Sequence, residues 1–463
     1  MNSPGTAARL SLVGVAWPLF VEQLLRILIL NVDTFMVSHV SDGAVAALGV
    51  AQQVLVLSII LFNFIGIGSS VVITHHLGAR DRAGADRIAA AAIGVNTWIG
   101  LLVSAAVAGL ASLILRAQHL PPGLFVYARP FLTILGGTLF LDAQNVAMAA
   151  VLRAHGRTRD AMVVTGSQNL LNAAGNCVFL FGLFGAPRLG VTGVALSGAF
   201  ARLAGFVALR FLVARRTGIW LGWRDYLTFP MHEVGRILRI GLPAAGENLS
   251  YWLALMRVTS FAARLGETPL AVATYTRTVM TWVILFAISI GLGTEILVGH
   301  LVGAGAFEEA YHRLLRSVRT GLLLVGAATL VFFLSGTWIF RAFTHDPAVL
   351  HGCATLLLIE LVIEPGRVFN IVVINSLRAT GDARFPVVMG ACSMWLLWVP
   401  LAGVLSLATP LGVTGIWIAM ACDEWVRGVM MYLRWKGRGW LKHAQRSRDD
   451  VAALASPEVA ESA

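Results

Sequence analysis

The chain has 463 residues, of which 57% are apolar and only 13% charged, with a formal net charge of +11. Ordinary soluble domains carry roughly 25% charged residues, so this composition excludes a soluble enzyme fold and points to a membrane protein. The basic excess falls in a defined subset of loops, which accounts for the charge without a nucleic-acid partner.

Apolar runs predict twelve spanning helices, six per half. They lie at about 10–37, 45–74, 89–115, 127–151, 161–184 and 190–213, then 237–264, 270–298, 318–340, 349–376, 386–407 and 411–433. The stretch from Ala44 to Ala79 has no Asp, Glu, Lys or Arg in 36 residues, well beyond the ~20 that one span needs. No period-2 strand pattern speaks for an outer-membrane barrel. The expected fold is an all-α polytopic membrane protein. Residues 1–220 form an amino-terminal six-helix lobe, 221–440 a carboxy-terminal one, and 441–463 a disordered polar tail.

Loops at 78–88, 152–160, 214–236, 303–319 and 377–385, with the tail from Arg434, hold most of the arginines and lysines. The opposite loops hold only Arg116, Arg129, Arg188, Arg264 and Arg341. The positive-inside bias then places both termini in the cytoplasm, with the chain in the inner membrane. The first apolar run follows Arg9 without a small-residue cleavage site and is expected to be retained. Four scattered cysteines, Cys177, Cys353, Cys392 and Cys422, show no CxxC spacing and read as packing residues.

Ionisable residues inside spans are costly and are functional candidates by default. In chain order they include Glu22, Arg26, Asp33, Asp142, Arg202, Glu247, Arg257, Glu295, Glu360, Glu364, Arg367 and Asp423. Glu22 with Arg26, Glu364 with Arg367, and Asp423 with Arg427 are spaced to neutralise each other on one helix face. Asp33 has no basic residue one helical turn away; it must face a cavity, be protonated or bind a cation. Glu247 also lacks a base at helical spacing and follows Gly-Leu-Pro243-Ala-Ala-Gly, which can bend a helix. Asn169, Asn172 and Asn176 form a polar stripe on the fifth helix, which either bonds neighbouring helices or lines a cavity. No phosphate-cradling loop, zinc motif or nucleophile triad is present, so no enzyme is expected.

The chain repeats itself at an offset of 225 residues. Pro18 and Glu22 recur as Pro243 and Glu247; Asn145, Leu152, Arg153 and Gly156 recur as Asn370, Leu377, Arg378 and Gly381. His75-His-Leu-Gly-Ala79 returns as His300-Leu-Val-Gly-Ala304, and Leu-Gly-Val-Thr-Gly at 189–193 returns at 411–415. So long a period means two similar half-molecules, an arrangement that in transporters sets a binding site between repeats.

Several of these stretches together resemble the multidrug and toxic compound extrusion (MATE) transporters over roughly residues 10–435. They are Pro18 through Asn31-Val-Asp33-Thr-Phe-Met-Val with Ala46-Ala-Leu-Gly49, then Gly78-Ala-Arg-Asp81, Leu152-Arg153-Ala-His-Gly156, Asn169 through Gly193, and Leu377-Arg378-Ala-Thr-Gly381-Asp382. The resemblance implies a V-shaped pair of six-helix bundles opening alternately to either side and exporting organic cations in exchange for protons or sodium ions. It matches the family's first-helix aspartate to Asp33, its fifth-helix asparagine to Asn172, and a sixth-helix hydroxyl to Ser197. Asn176 stands where one branch has a second aspartate. Glu247 resembles a seventh-helix glutamate, and a tenth-helix aspartate has no counterpart in residues 369–376. The implied partners are small organic cations and membrane lipid; no cofactor beyond the coupling ion is implied, and a monomer is expected. Rival readings are a lipid-linked oligosaccharide flippase of the same superfamily and a major-facilitator transporter. The second rests on Gly78-Ala-Arg-Asp81-Arg82-Ala-Gly84.

Overall fold

The computed structural model describes residues 10–220, 222–226 and 230–455. Among them every regular element is helical. The first half supplies α1 (Leu12–Ser38), α2 (Asp42–Gly78), α3 (Arg82–Gly109), α4 (Ala111–Ala117), α5 (Phe125–Gly137), α6 (Leu139–Ala154), α7 (Thr158–Phe181) and α8 (Val191–Thr217). The second half supplies α9 (Met231–Arg264), α10 (Glu267–Gly303), α11 (Phe307–Arg341), α12 (Pro347–Ala379), α13 (Arg384–Ser393), α14 (Val399–Leu407), α15 (Val413–Lys436) and α16 (Leu441–Ala455).

Local chemistry sets the ends. The Asp81 carboxylate accepts from the Gly84 amide at 2.9 Å and starts α3, and Asp346 does the same for α12 through the Ala348 amide at 2.8 Å. Pro347 follows as the first residue of α12, where its missing N–H costs nothing. Gly182, at φ +71°, closes α7 in the left-handed conformation.

Each of the twelve predicted spans coincides with helix. Among the described residues seven helices could cross a bilayer alone by length and composition, and an eighth span is the pair Pro122–Gly137 and Leu139–Ala154, bent by 46°. The remaining predicted spans are α7, α9, α12 and α15, which carry the buried polar groups described below.

The chain divides into two compact units. Among the described residues, one contains 10–20, Gly78–Arg80 and 243–455; the other contains Val21–Leu77 and Asp81–Leu242. These units are not the two sequence halves: the start of α1 groups with the second half, and the start of α9 with the first. The Val21–Leu242 unit has a core around Phe62, Phe131, Leu132 and Leu139. Its α3 and α6 approach closely at Gly100, where an added Cβ would come within 2.7 Å of the Ala143 Cβ. The other unit is built around Val283, Leu314, Val372, Trp398, Trp435 and Trp440. Leu170, Phe200, Leu334, Trp338 and Leu396 point outward, as the bilayer-facing sides of such helices must.

One expectation is corrected. Residues 441–455 of the predicted disordered tail are helical: Ala444 of α16 packs into the second-half core beside Trp440, and Val451 is buried. Residues 456–463 lie outside the described residues.

Candidate functional site

Asp33 lies on α1 inside the Val21–Leu242 unit. Its Oδ1 accepts from Asn172 Nδ2 at 2.8 Å and from Asn176 Nδ2 at 2.7 Å, both from α7. The third member of the stripe, Asn169, donates to the Leu25 carbonyl at 2.6 Å. The stripe therefore joins α7 to α1, and two of its three amides converge on the one carboxylate. The Oδ1 atoms of Asn172 and Asn176 are buried and have no hydrogen-bond partner. Ser197 does not join them: its hydroxyl donates to the Gly193 carbonyl one turn back at 2.9 Å, and its side chain packs on Gly175. Near Asp33, Arg202 binds Asp142 at 3.0 Å and donates to the Leu135 carbonyl at 2.6 Å.

Glu22 takes Arg26 as expected, at 2.9 Å, but it also takes Arg153 from α6 on the same oxygen, at 2.9 Å. Glu247 is not unpaired. Arg378, at the end of α12, donates to its Oε2 at 2.5 Å. Reading bases only at helical spacing missed this partner, 131 residues away. The signal was nevertheless present, since Arg153 and Arg378 are themselves related by the repeat.

The second-half unit contains a buried network of charges. Arg367 binds Glu364, lies 3.3 Å from Glu424 and 3.8 Å from Glu360. Arg427 binds Asp423 at 2.7 Å and lies 3.5 Å from Glu424. Asn370 and Ser393 donate to Glu424 and Asp423 at 2.7 and 2.5 Å, and the Trp417 indole donates to Glu360 at 2.8 Å. The two ion pairs expected on α12 and α15 are both present, and Glu424, which sequence reasoning passed over, fuses them. Its position three residues before Arg427 was the available clue. Four carboxylates thus face two guanidiniums, all nearly inaccessible to solvent.

A smaller cluster closes the α2–α3 turn. His76 Nδ1 lies 2.7 Å from Asp81 and its Nε2 2.9 Å from Arg236 Nη1. An arginine can only donate, so Nε2 accepts and Nδ1 carries the proton given to Asp81. Burial opposes the Asp81 charge, yet the Gly84 amide and His76 outweigh it and hold the carboxyl below its usual range.

Comparison with known proteins agrees with this architecture. The MatE family model matches residues 18–178 and 243–404, one copy per half. An uncharacterised transporter, YisQ, of Bacillus subtilis is 39% identical over 93% of this chain and 95% of its own length. A probable multidrug resistance protein, NorM, of Thermotoga maritima is 26% identical over 96% of each chain. Among solved structures, a MATE crystal structure in the bent conformation superposes with a TM-score of 0.86 at 20% identity, over 95% of this chain and 96% of that one. A transporter of the MOP superfamily from Pyrococcus furiosus, described as having a binding pocket of reversed polarity, gives 0.83 at 20% identity over 96% of each. With the family model spanning both halves, the chain belongs to the MatE family of multi-pass membrane transporters.

Proposed function

We propose that this protein exports organic cations in exchange for protons by alternating access. The observation that carries the reading is Asp33, a carboxylate inside a spanning helix whose hydrogen bonds come from two amide donors, with the Arg202 guanidinium acting on it only as a nearby charge. Ionised, it attracts a cation; protonated, it does not, so proton uptake and release of a cationic substrate become linked through differential affinity. Glu364 and its neighbours support the reading, because their network carries two more acids than bases and reaches neutrality on binding two protons. Glu22 and Glu247, each occupied by arginine, are structural partners in this scheme rather than coupling groups.

Sodium coupling is the second reading. The free Oδ1 atoms of Asn172 and Asn176 favour it, since turning both amides would offer Asp33 and two further oxygens to a hard cation. Proteoliposomes exporting ethidium separate the two. An imposed proton gradient should drive export and an imposed sodium gradient should not; the reverse result selects sodium, and silence under both rejects antiport.

A further inference from the structure

Two helices carry a proline at the same place in the repeat, Pro18 in α1 and Pro243 in α9. A proline inside a helix removes a backbone hydrogen bond and crowds the preceding turn, which makes it a preferred bending point. The compact units part at these residues. The chain leaves one unit after Phe20, two residues beyond the first proline, touches it again at the Gly78–Arg80 turn, and re-enters it for good at Pro243. Each helix therefore has a leading segment in one unit and its body in the other.

The repeat also governs what holds each part. Ahead of Pro243, a Cβ on Gly241 would lie 2.1 Å from the Phe64 carbonyl oxygen, and one on Gly68 would lie 2.2 Å from that of Ile237. The leading segment of α9 thus crosses α2 backbone against backbone. Ahead of Pro18, a Cβ on Gly293 would meet Ala16 at 3.3 Å, so the leading segment of α1 crosses α10. Gly68 and Gly293 are repeat mates, and so are Ala16 and Gly241. One turn beyond each proline comes the acid: Glu22 bound to Arg153 of α6, Glu247 bound to Arg378 of α12. Both salt bridges stay within the unit that holds the helix body.

We propose that Arg153 and Arg378 are positioning residues of the transport cycle. Each clasps the body of a proline-containing helix to its own unit, so that any bending is confined to Pro18 and Pro243. Stability alone does not account for the pairs, because well-packed apolar side chains serve at least as well as a buried ion pair. Nor would a purely stabilising pair need to sit one turn past a proline in both halves. The arginines touch no substrate in this scheme and act through their glutamates.

The test uses the full-length protein with Arg153→Gln, Arg378→Gln and the lysine variant at each position. The first readout is hydrogen–deuterium exchange. Loss of a clasp should speed exchange at least about tenfold in the segment just after the matching proline, 21–30 or 246–255, and leave the segment before it unchanged. The second is ethidium export from proteoliposomes, where each glutamine variant should lose at least about tenfold in maximal rate with KM within about twofold. Lysine, which keeps the charge, should restore most of both. Unchanged exchange, or a raised KM at full maximal rate, overturns the proposal. Should a glutamine variant fail to reach the membrane, the lysine variant decides: normal exchange with export below a tenth of wild type overturns it. The rate readout rests on the transport function proposed above; if the wild type exports nothing under any gradient, that reading falls while exchange still decides the clasps.

Discussion

Asp33 and Glu247 show what a carboxylate's partners do to its role. Both were expected to be unpaired, yet only Asp33 takes its hydrogen bonds from amides, with Arg202 nearby but not bonded to it, whereas Glu247 is taken by Arg378. Asp33→Asn removes the exchangeable proton but keeps the size, so proton-driven ethidium export should fall at least about tenfold at unchanged membrane level. Equilibrium ethidium binding, measured by fluorescence anisotropy, should at the same time lose its dependence on pH. Asp81 makes a different prediction. Its folded carboxyl titrates below the ordinary value, so the stability it supplies is present above about pH 4 and lost as pH falls further. Asp81→Ala should cost about 1 kcal/mol from the lost helix cap, and its melting temperature should fall less than that of the wild type between pH 5 and pH 3. Asp33 could be read from sequence because isolation from bases is a local property. The partner of Glu247 could not be read that way, because a salt bridge between helices is set by packing; only the doubled Glu and Arg positions announced it.

Helices were legible wherever hydropathy and function agree. The spans with the clearest apolar signal, such as α2 and α10, meet bilayer requirements by length and composition alone. The four that fall short, α7, α9, α12 and α15, are those from which Asn172, Asn176, Glu247, Glu364 and Asp423 project. A weak apolar signal among otherwise strong spans thus accompanies buried polar groups, although Asp33 itself sits on α1, whose apolar signal is clear. Disorder was misread at 441–455 for a related reason: a polar, alanine-rich stretch hides a narrow apolar stripe. Ser447 of α16 lies against Gly381, whose φ of +85° excludes a larger residue, while His443 approaches Asp382 at 3.6 Å. Truncation before Leu441 should cost on the order of 3 kcal/mol of burial. The purified protein should therefore melt earlier, with ethidium export at low temperature retained.

At the scale of the molecule, the internal repeat foretold two units, and the all-helical fold follows from composition. Their exchanged segments were not legible, because a repeat reports similarity between halves and is silent about which half each helix start will pack on. The basic loops make a further prediction. Arg446 is exposed on α16, and a cysteine placed there in a background without Cys177, Cys353, Cys392 and Cys422 should react with an impermeant maleimide in inside-out vesicles only. Labelling in right-side-out cells would reverse the topology.

The exchange of the leading segments of α1 and α9 also bears on the two halves as separate objects. Each half lends its first helical turns to the core assembled by the other. A half-length chain would carry an arm with nowhere of its own to lie and a groove with nothing in it. Two such chains would satisfy both needs by trading arms, as swapped dimers do. Severed between its halves, this protein should accordingly behave as two mutually dependent pieces: neither fragment stable by itself, both recovered when made together.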